Sequence, residues 1–424
     1  MRSYFAAFAL LFPLALLCAQ DVRPKDVREI AKNGSSAIPQ LAGLLKNPTK
    51  DVRLEVVRQL TEIGGQGSLD PLIQATQDHD PEVQARAADG LTNFYYPGYV
   101  QEGGGVGGSL KRLGTGIKGM FTDTDDQVID GYVIVRPEVI AALAKLASSG
   151  GSAEARAGGA RALGVLRAKA AVPDLVEAVH SKDSDTIFEA LVALQKIRDE
   201  SAGPRVEFRL HDLDKKVQTA AVETVGVLHD TDSLPALTDI LKRSSDAGVR
   251  RAALTSIAMM PAESSRPLYA QYLHDKDEKL RAAAAEGYAR LRDPKDAPML
   301  DQAWKDEAKT APRLSLAFAL VMLGRTEVSQ FSPLQFLIDD LNSASYSGVA
   351  MPFLVELARD KTVRDALYPA LPAATKAEKI GLAHVLARSG DQQSVPALQK
   401  LSTDKDADVA QEGLRALRTL QAKM

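Results

Sequence analysis

The most regular feature of the chain is a three-beat spacing of apolar residues, clearest across residues 204–260. Val206, Val217 and Val225 follow one another at intervals of 11 and 8 residues, and Leu237, Val249 and Ile257 at intervals of 12 and 8. A polar turn carrying aspartate separates the first two beats, and stretches such as VQTAAV and VRRAAL begin at the second. The pattern predicts a short apolar helix, a turn, and a second helix rich in alanine and valine. One such pair leaves apolar surface uncovered and needs a neighbour of its own kind on each side.

The rest of the chain supplies those neighbours. Leu41, Val52 and Leu60 carry the same beat, and Leu72, Val83 and Leu91 repeat it 31 residues later. After an interruption it returns at Leu143, Ala155 and Leu163, at Leu175, Ile187 and Leu194, and at Leu268, Leu280 and Tyr288. Leu398, Val409 and Leu417 close the chain. Across 298–390 helical patches persist around Leu300, 316–323, 334–341, 353–357 and 380–386, but their turns are irregular and resist phasing. Ten or eleven units are expected, all α, with no single core to saturate. Proline near the start of the first helix (Pro39, Pro71, Pro173, Pro235, Pro267, Pro298, Pro396) removes an N–H that has no partner there. Aspartate in the turn (Asp51, Asp80, Asp183, Asp212, Asp246, Asp275, Asp404) is placed to cap the second helix.

These prolines, turn aspartates and second-helix openings resemble the HEAT-repeat family, in the bacterial variety also found in phycobilisome-lyase-like proteins. The resemblance spans residues 35–424 apart from the interruption. It implies a right-handed α-α superhelix and a scaffold that binds a protein or peptide on its concave, second-helix side. It also implies that Arg53, Arg86, Arg251 and Arg281 form a ladder with turn aspartates of neighbouring repeats. The concave positions expected to be exposed are Arg53, Arg58, Arg86, Glu223, Arg250, Arg251 and Glu286. The same resemblance leaves a second possibility, an enzyme or cofactor-maturation factor of the lyase or hydroxylase type.

Charge and composition narrow the class. The 424 residues are 45% hydrophobic with a net charge of −3, so there is no basic footprint for nucleic acid. Residues 1–20 read as a secretory signal: Arg2, an apolar run over 4–17 broken only by Pro13, then Cys18, Ala19 and Gln20 before Asp21. That run is short for a membrane span, and no comparable one follows it. The single cysteine, Cys18, could become a lipidated N-terminus, but Leu17 stands where that signal wants a small residue. Export to the periplasm or beyond is therefore expected, leaving a cysteine-free chain with no disulfide to manage.

The predicted organisation is a signal at 1–20, repeats at 21–94, an insertion at 95–136 and repeats again at 137–424. The insertion differs in kind from everything around it. Nine glycines fall between Gly98 and Gly119, which excludes a regular helix there. Six of the eighteen aromatics beyond residue 20 (Phe94, Tyr95, Tyr96, Tyr99, Phe121, Tyr132) lie in or at the edge of it, where even scattering would give about two. Aromatics beside flexible glycines can form a binding loop, which makes Tyr95, Tyr96, Tyr99 and Phe121 candidate partner contacts beside Arg53, Arg86, Arg250 and Arg251. Alternatively they cap the exposed end of the second repeat while the glycines span a gap.

No catalytic set stands out. GGGVGGSLK lacks the Gly-Lys-Ser/Thr ending of a phosphate loop, and DTDDQVID has Val128 where a calcium-binding loop needs glycine. The six histidines include no His-Glu pair, and His211 and His274 sit two repeats apart, too far to share a metal. No cofactor is expected. Mass spectrometry of the exported protein should find an unlipidated N-terminus between Cys18 and Asp21; retained residues 1–17, or a diacylglyceryl Cys18, would overturn the signal reading.

Overall fold

The turns set the repeat. Asp80, Asp183, Asp214, Asp246, Asp277 and Asp406 each accept a backbone N–H from the first turn of a second helix. The cap therefore sits two residues later than expected at Asp212, Asp275 and Asp404. Their carboxylates instead accept the backbone N–H of the capping residue, at 2.9 Å for Asp212, 2.8 Å for Asp275 and 3.0 Å for Asp404. Asp-X-Asp thus uses two carboxylates in series, one to hold the turn and one to cap the helix. Asp51 lies inside the first turn of its helix, and Thr49 precedes that helix without a side-chain cap. Pro39, Pro173, Pro235, Pro267, Pro298 and Pro396 occupy the first or second position of first helices, as their chemistry dictates.

The computed structural model describes residues 22–100 and 127–424. These residues form 23 α-helices linked by short 3-10 turns, with no strand among them. The second helices make one continuous inner rank: Pro24–Ala31, Lys50–Ile63, Pro81–Tyr95, Ala153–Val165, Ser184–Ile197, Lys215–Val227, Ala247–Met259, Glu278–Leu291 and Thr310–Met322, each packed on the next. First helices such as Leu69–Ala75, Val172–Ala178 and Leu234–Arg243 form the outer rank. The result is an all-α superhelix.

Burial follows the sequence beat. Leu41, Val52, Leu60, Leu143, Leu163, Leu194, Val217, Val225, Leu237 and Ile257 are fully buried. Each such side chain is worth about 1.5–3 kcal/mol. Leu417, on the helix Ala407–Gln421, is the exception among the marker positions and is only partly buried. Close approach of neighbouring helices needs small residues: a Cβ at Gly287 would fall 2.3 Å from the Tyr269 ring, and one at Gly226 2.5 Å from Ser256.

The irregular stretch has a physical cause. Helices Ser347–Leu357 and Lys361–Leu367 form a hairpin inserted between a first helix, Pro333–Asp339, and its own second helix, Lys376–Ser389. The interrupted turn still closes, because Asn342 donates to Glu378 at 2.6 Å and accepts from Thr375 at 2.7 Å. The hairpin packs across the inner rank. Phe353 stacks on Phe318 with centroids 4.6 Å apart, and Glu356 accepts from Arg290 at 2.8 and 3.0 Å.

Two distant parts of the chain also meet. Near the end of the insertion, Ile129 donates its N–H to the Val165 carbonyl at 3.0 Å, and Asp130 accepts from Arg415 of the Ala407–Gln421 helix at 2.7 Å. Lys423 lies close by, its ammonium pulled down by burial and then by the charges of Arg167, Arg388 and Arg359.

A charge forced into this stack should be costly. Leu194→Asp should lower unfolding free energy by several kcal/mol, while Lys242→Ala, on the exposed side of an outer helix, should change it by no more than about 0.5 kcal/mol. Denaturant titration of both variants checks the register, and equal tolerance would refute it.

Candidate partner-binding face

Every third or fourth residue along each second helix points away from the outer rank, and those residues define the inner face. On Pro81–Tyr95 the stripe is Glu82, Arg86, Asp89 and Asn93; on Ser184–Ile197 it includes Asp185, Glu189, Val192 and Lys196. What separates candidate contacts from structural charges is whether each is already paired.

Arg53 is structural. It is 2% exposed, donates through Nε to Asp78 at 2.8 Å and through Nη2 at 3.0 Å, and also reaches the Asn47 carbonyl at 2.9 Å. It is therefore not an exposed contact, because the acid it holds belongs to the next repeat. Arg251 to Asp277, at 2.8 Å, and Arg281 to Glu307, at 2.7 Å, are the same rung further along. Arg251 nonetheless keeps 36% of its side chain exposed. Glu286, expected to be exposed, is buried: it takes Arg290 at 3.3 Å and Ser315 at 3.1 Å, and burial pushes its carboxyl up. The inserted hairpin covers it.

Arg86 departs from the ladder. It is the sixth residue of its helix, whereas Arg53 is the fourth of its own, and Gln84 takes the fourth position and donates to the Asp78 carbonyl at 2.6 Å. Arg86 is partly exposed and makes no hydrogen bond or ion pair among the described residues. Arg250 is likewise partly exposed and unpaired there, since its neighbour Arg251 makes the rung. Glu223 is partly exposed and has no partner among the described residues; burial alone pushes its carboxyl up to about 7. Arg58 is held by Glu62 at 2.8 Å.

The roots of the insertion are anchored to the solenoid. Tyr95 ends its helix rather than opening a loop, and its hydroxyl accepts the Arg136 backbone N–H at 3.1 Å. Phe94 packs edge-on to Tyr95 at 4.9 Å, and Tyr96 packs against the core. Tyr99 is partly exposed. Phe121 and the glycine-rich centre lie outside the described residues. So do Cys18 and the signal segment.

Sequence reasoning missed the strongest polar group of the inner face. Arg161 donates to Glu189 at 2.6 Å, with Asp89 on the adjoining helix. Burial opposes the charge of Arg161, but Glu189, and more distantly Tyr99 and Asp89, hold its guanidinium protonated above its ordinary value. Nε and Nη1 of Arg161 and Oε2 of Glu189 are buried without a partner among the described residues. Arg161 and Glu189 do fall on the inner stripes of their helices, which is the signal that could have found them. Among the described residues, no group of three or more His, Cys, Asp or Glu side chains is placed to hold a metal, and no helix is long and apolar enough to cross a membrane.

The fold and its ladder define an α-solenoid built from helical pairs. The family model described as HEAT repeats matches residues 18–101, 140–226 and 234–321, well over half of the chain, and the protein belongs to that family. The match lapses at the insertion and again before the inserted hairpin. No curated protein matches the chain. Among solved structures, an engineered protein is 20% identical over 91% of this chain and 98% of its own, with a TM-score of 0.37. The complex of CpcE and CpcF of phycocyanin lyase from Nostoc sp. PCC7120 is 17% identical over 68% and 94%, with a TM-score of 0.38. Importin beta is 14% identical over 94% and 65%, with a TM-score of 0.39.

The Glu223 carboxyl gives the inner face a pH signature. Its folded pKa of about 7 stands above the ordinary 4.5, so the folded state binds the proton more tightly. Stability should therefore rise as pH falls from about 8 towards 5 and be lost as pH rises through 7. Glu223→Gln should remove that slope and stabilise the protein at pH 8 by about 1–3 kcal/mol. Denaturant unfolding of both proteins at pH 5 and pH 8 makes the comparison, and an unchanged slope would refute it.

Proposed function

We propose that this chain is an exported, non-enzymatic scaffold that holds a protein or peptide segment along the inner, second-helix face of its solenoid. The supporting observation is a contrast within one residue type. Arginines at the repeat edge (Arg53, Arg251, Arg281) are bound to acids of the next repeat, whereas Arg86 and Arg250 have no partner among the described residues. Glu223 and the unmet nitrogens of Arg161 add to this inner set. Long rows of stacked helices present extended concave surfaces suited to chains of residues rather than to small substrates. Charges of both signs along such a row select a partner by electrostatic complementarity, and that influences on-rate and specificity more than raw affinity. Tyr96 and Tyr99 at the insertion root supply aromatic contact area beside them.

Photo-crosslinking side chains placed at positions 86 and 250 should capture the same partner, and one at position 242 on the outer rank should not. Crosslinks at 242 equal to those at 86 and 250 would move the binding face off the inner rank.

A further inference from the structure

A second feature, independent of the inner face, lies where the ladder fails. Arg313 is the fourth residue of Thr310–Met322, the position Arg53 and Arg281 hold in their helices. In those two the Nε donates to a carboxylate of the next repeat, at 2.8 Å to Asp78 and 2.7 Å to Glu307. Asp78 lies three residues past the end of its first helix; the residue so placed after Pro333–Asp339 is Asn342, already taken by Thr375 and Glu378. Asp340, in the same turn, makes no ion pair with Arg313. The Nε of Arg313 is consequently buried without a partner among the described residues.

The space around this orphaned arginine is walled by aromatics. The Arg313 guanidinium lies 5.2 Å from the Trp304 ring and 5.2 Å from the Phe336 ring, at the edge of a cavity of about 430 Å³. Trp304 lines the cavity, is 7% exposed, and its indole Nε1 is buried with no acceptor among the described residues. Phe331, also lining it, is 81% exposed with φ +68°, a left-handed conformation that is costly for a bulky residue. At the rim, Gln335 donates to Asp339 at 2.7 Å.

We infer that this cavity between the Ala297–Asp306 and Pro333–Asp339 helices binds a carboxylate carried beside an aromatic ring, the carboxylate taking the place of the acid missing from the ladder. Two of the lining residues carry a buried N–H donor, one charged and one neutral, with no acceptor among the described residues, and buried donors are otherwise nearly always paired. The same arginine position already selects carboxylates in other repeats, with the planar fork that suits them. The rim carboxylate of Asp339 disfavours a dianion such as phosphate more than a monoanion. Trp304, Phe331 and Phe336 give a ring flat surfaces to lie on. The chemistry has two sources, a free aromatic acid or the C-terminal residue of a peptide.

Trp304 is the only tryptophan of the chain, so its emission reports on this cavity alone. Titration with N-acetyl-phenylalanine, and with a hexapeptide ending in phenylalanine with a free carboxylate, should give saturable changes. The amide of each should bind at least about tenfold more weakly. Arg313→Gln should weaken the acids by about as much. Phe331→Ala, a change at an exposed side chain that leaves far-UV circular dichroism intact, should weaken them too. A peptide about tenfold tighter than the small acid assigns the site to chain ends, and equal affinities assign it to free acids. No saturable change with either probe, or equal binding of acid and amide, would overturn the inference. Should Arg313→Gln fail to fold, the acid–amide comparison and Phe331→Ala still decide.

Discussion

No repeat of this protein can bury its own faces, and that constraint governs the rest of the molecule. Each second helix is covered by the one before and the one after, so small residues cluster where helices approach and apolar residues return on a fixed beat. Gly226 against Ser256 and Gly287 against Tyr269 mark how little room remains between neighbours. The rule relaxes at one marker position. Leu417, on the last helix, is the marker position left partly exposed.

Polar groups obey the same geometry. A turn aspartate serves its own repeat by capping a helix, while an arginine of the preceding repeat ties the next turn into the stack. Arg53 with Asp78 and Arg281 with Glu307 repeat that tie at 2.8 and 2.7 Å. A charge that is part of the ladder is structural, and one that falls off it is free to do something else. Arg86, Arg250 and Arg313 all stand outside the ladder, the first by its position in the helix, the second because Arg251 makes the rung, the third because Asn342 stands where its turn would offer the acid. Their surroundings differ: a polar inner face for the first two and an aromatic cavity for the third.

Much of the fold was legible because a beat of apolar residues has few physical meanings. Val52, Val217 and Val249 are buried as the spacing required, and the prolines stand where a missing N–H is harmless. The caps were displaced by two residues because either aspartate of Asp-X-Asp can bond a backbone N–H, and only geometry tells them apart. The hairpin over 347–367 was not legible, since its helices carry ordinary apolar patterns and nothing local shows that the repeat around them is interrupted. Candidate contacts fared less well. Arg53 and Glu286 are charged residues on second helices, yet their burial depends on partners such as Asp78 and on the covering hairpin. Arg161 and Glu189 were missed because their contact joins two repeats 28 residues apart.

The bond between Asp130 and Arg415 joins residues 285 positions apart in a molecule whose other contacts are overwhelmingly between neighbours. A linear stack without such a bond behaves as a row of coupled units and frays from whichever end is weakest. Fastening the Ala407–Gln421 helix to the closing stretch of the insertion turns an open coil into a clasped one. Pulling the Ala407–Gln421 helix away then strains the neighbouring Ile129 against Val165 at the end of the Ala153–Val165 helix as well. Mechanical load on the Ala407–Gln421 helix is thereby shared with the Ala153–Val165 helix, several repeats away along the chain.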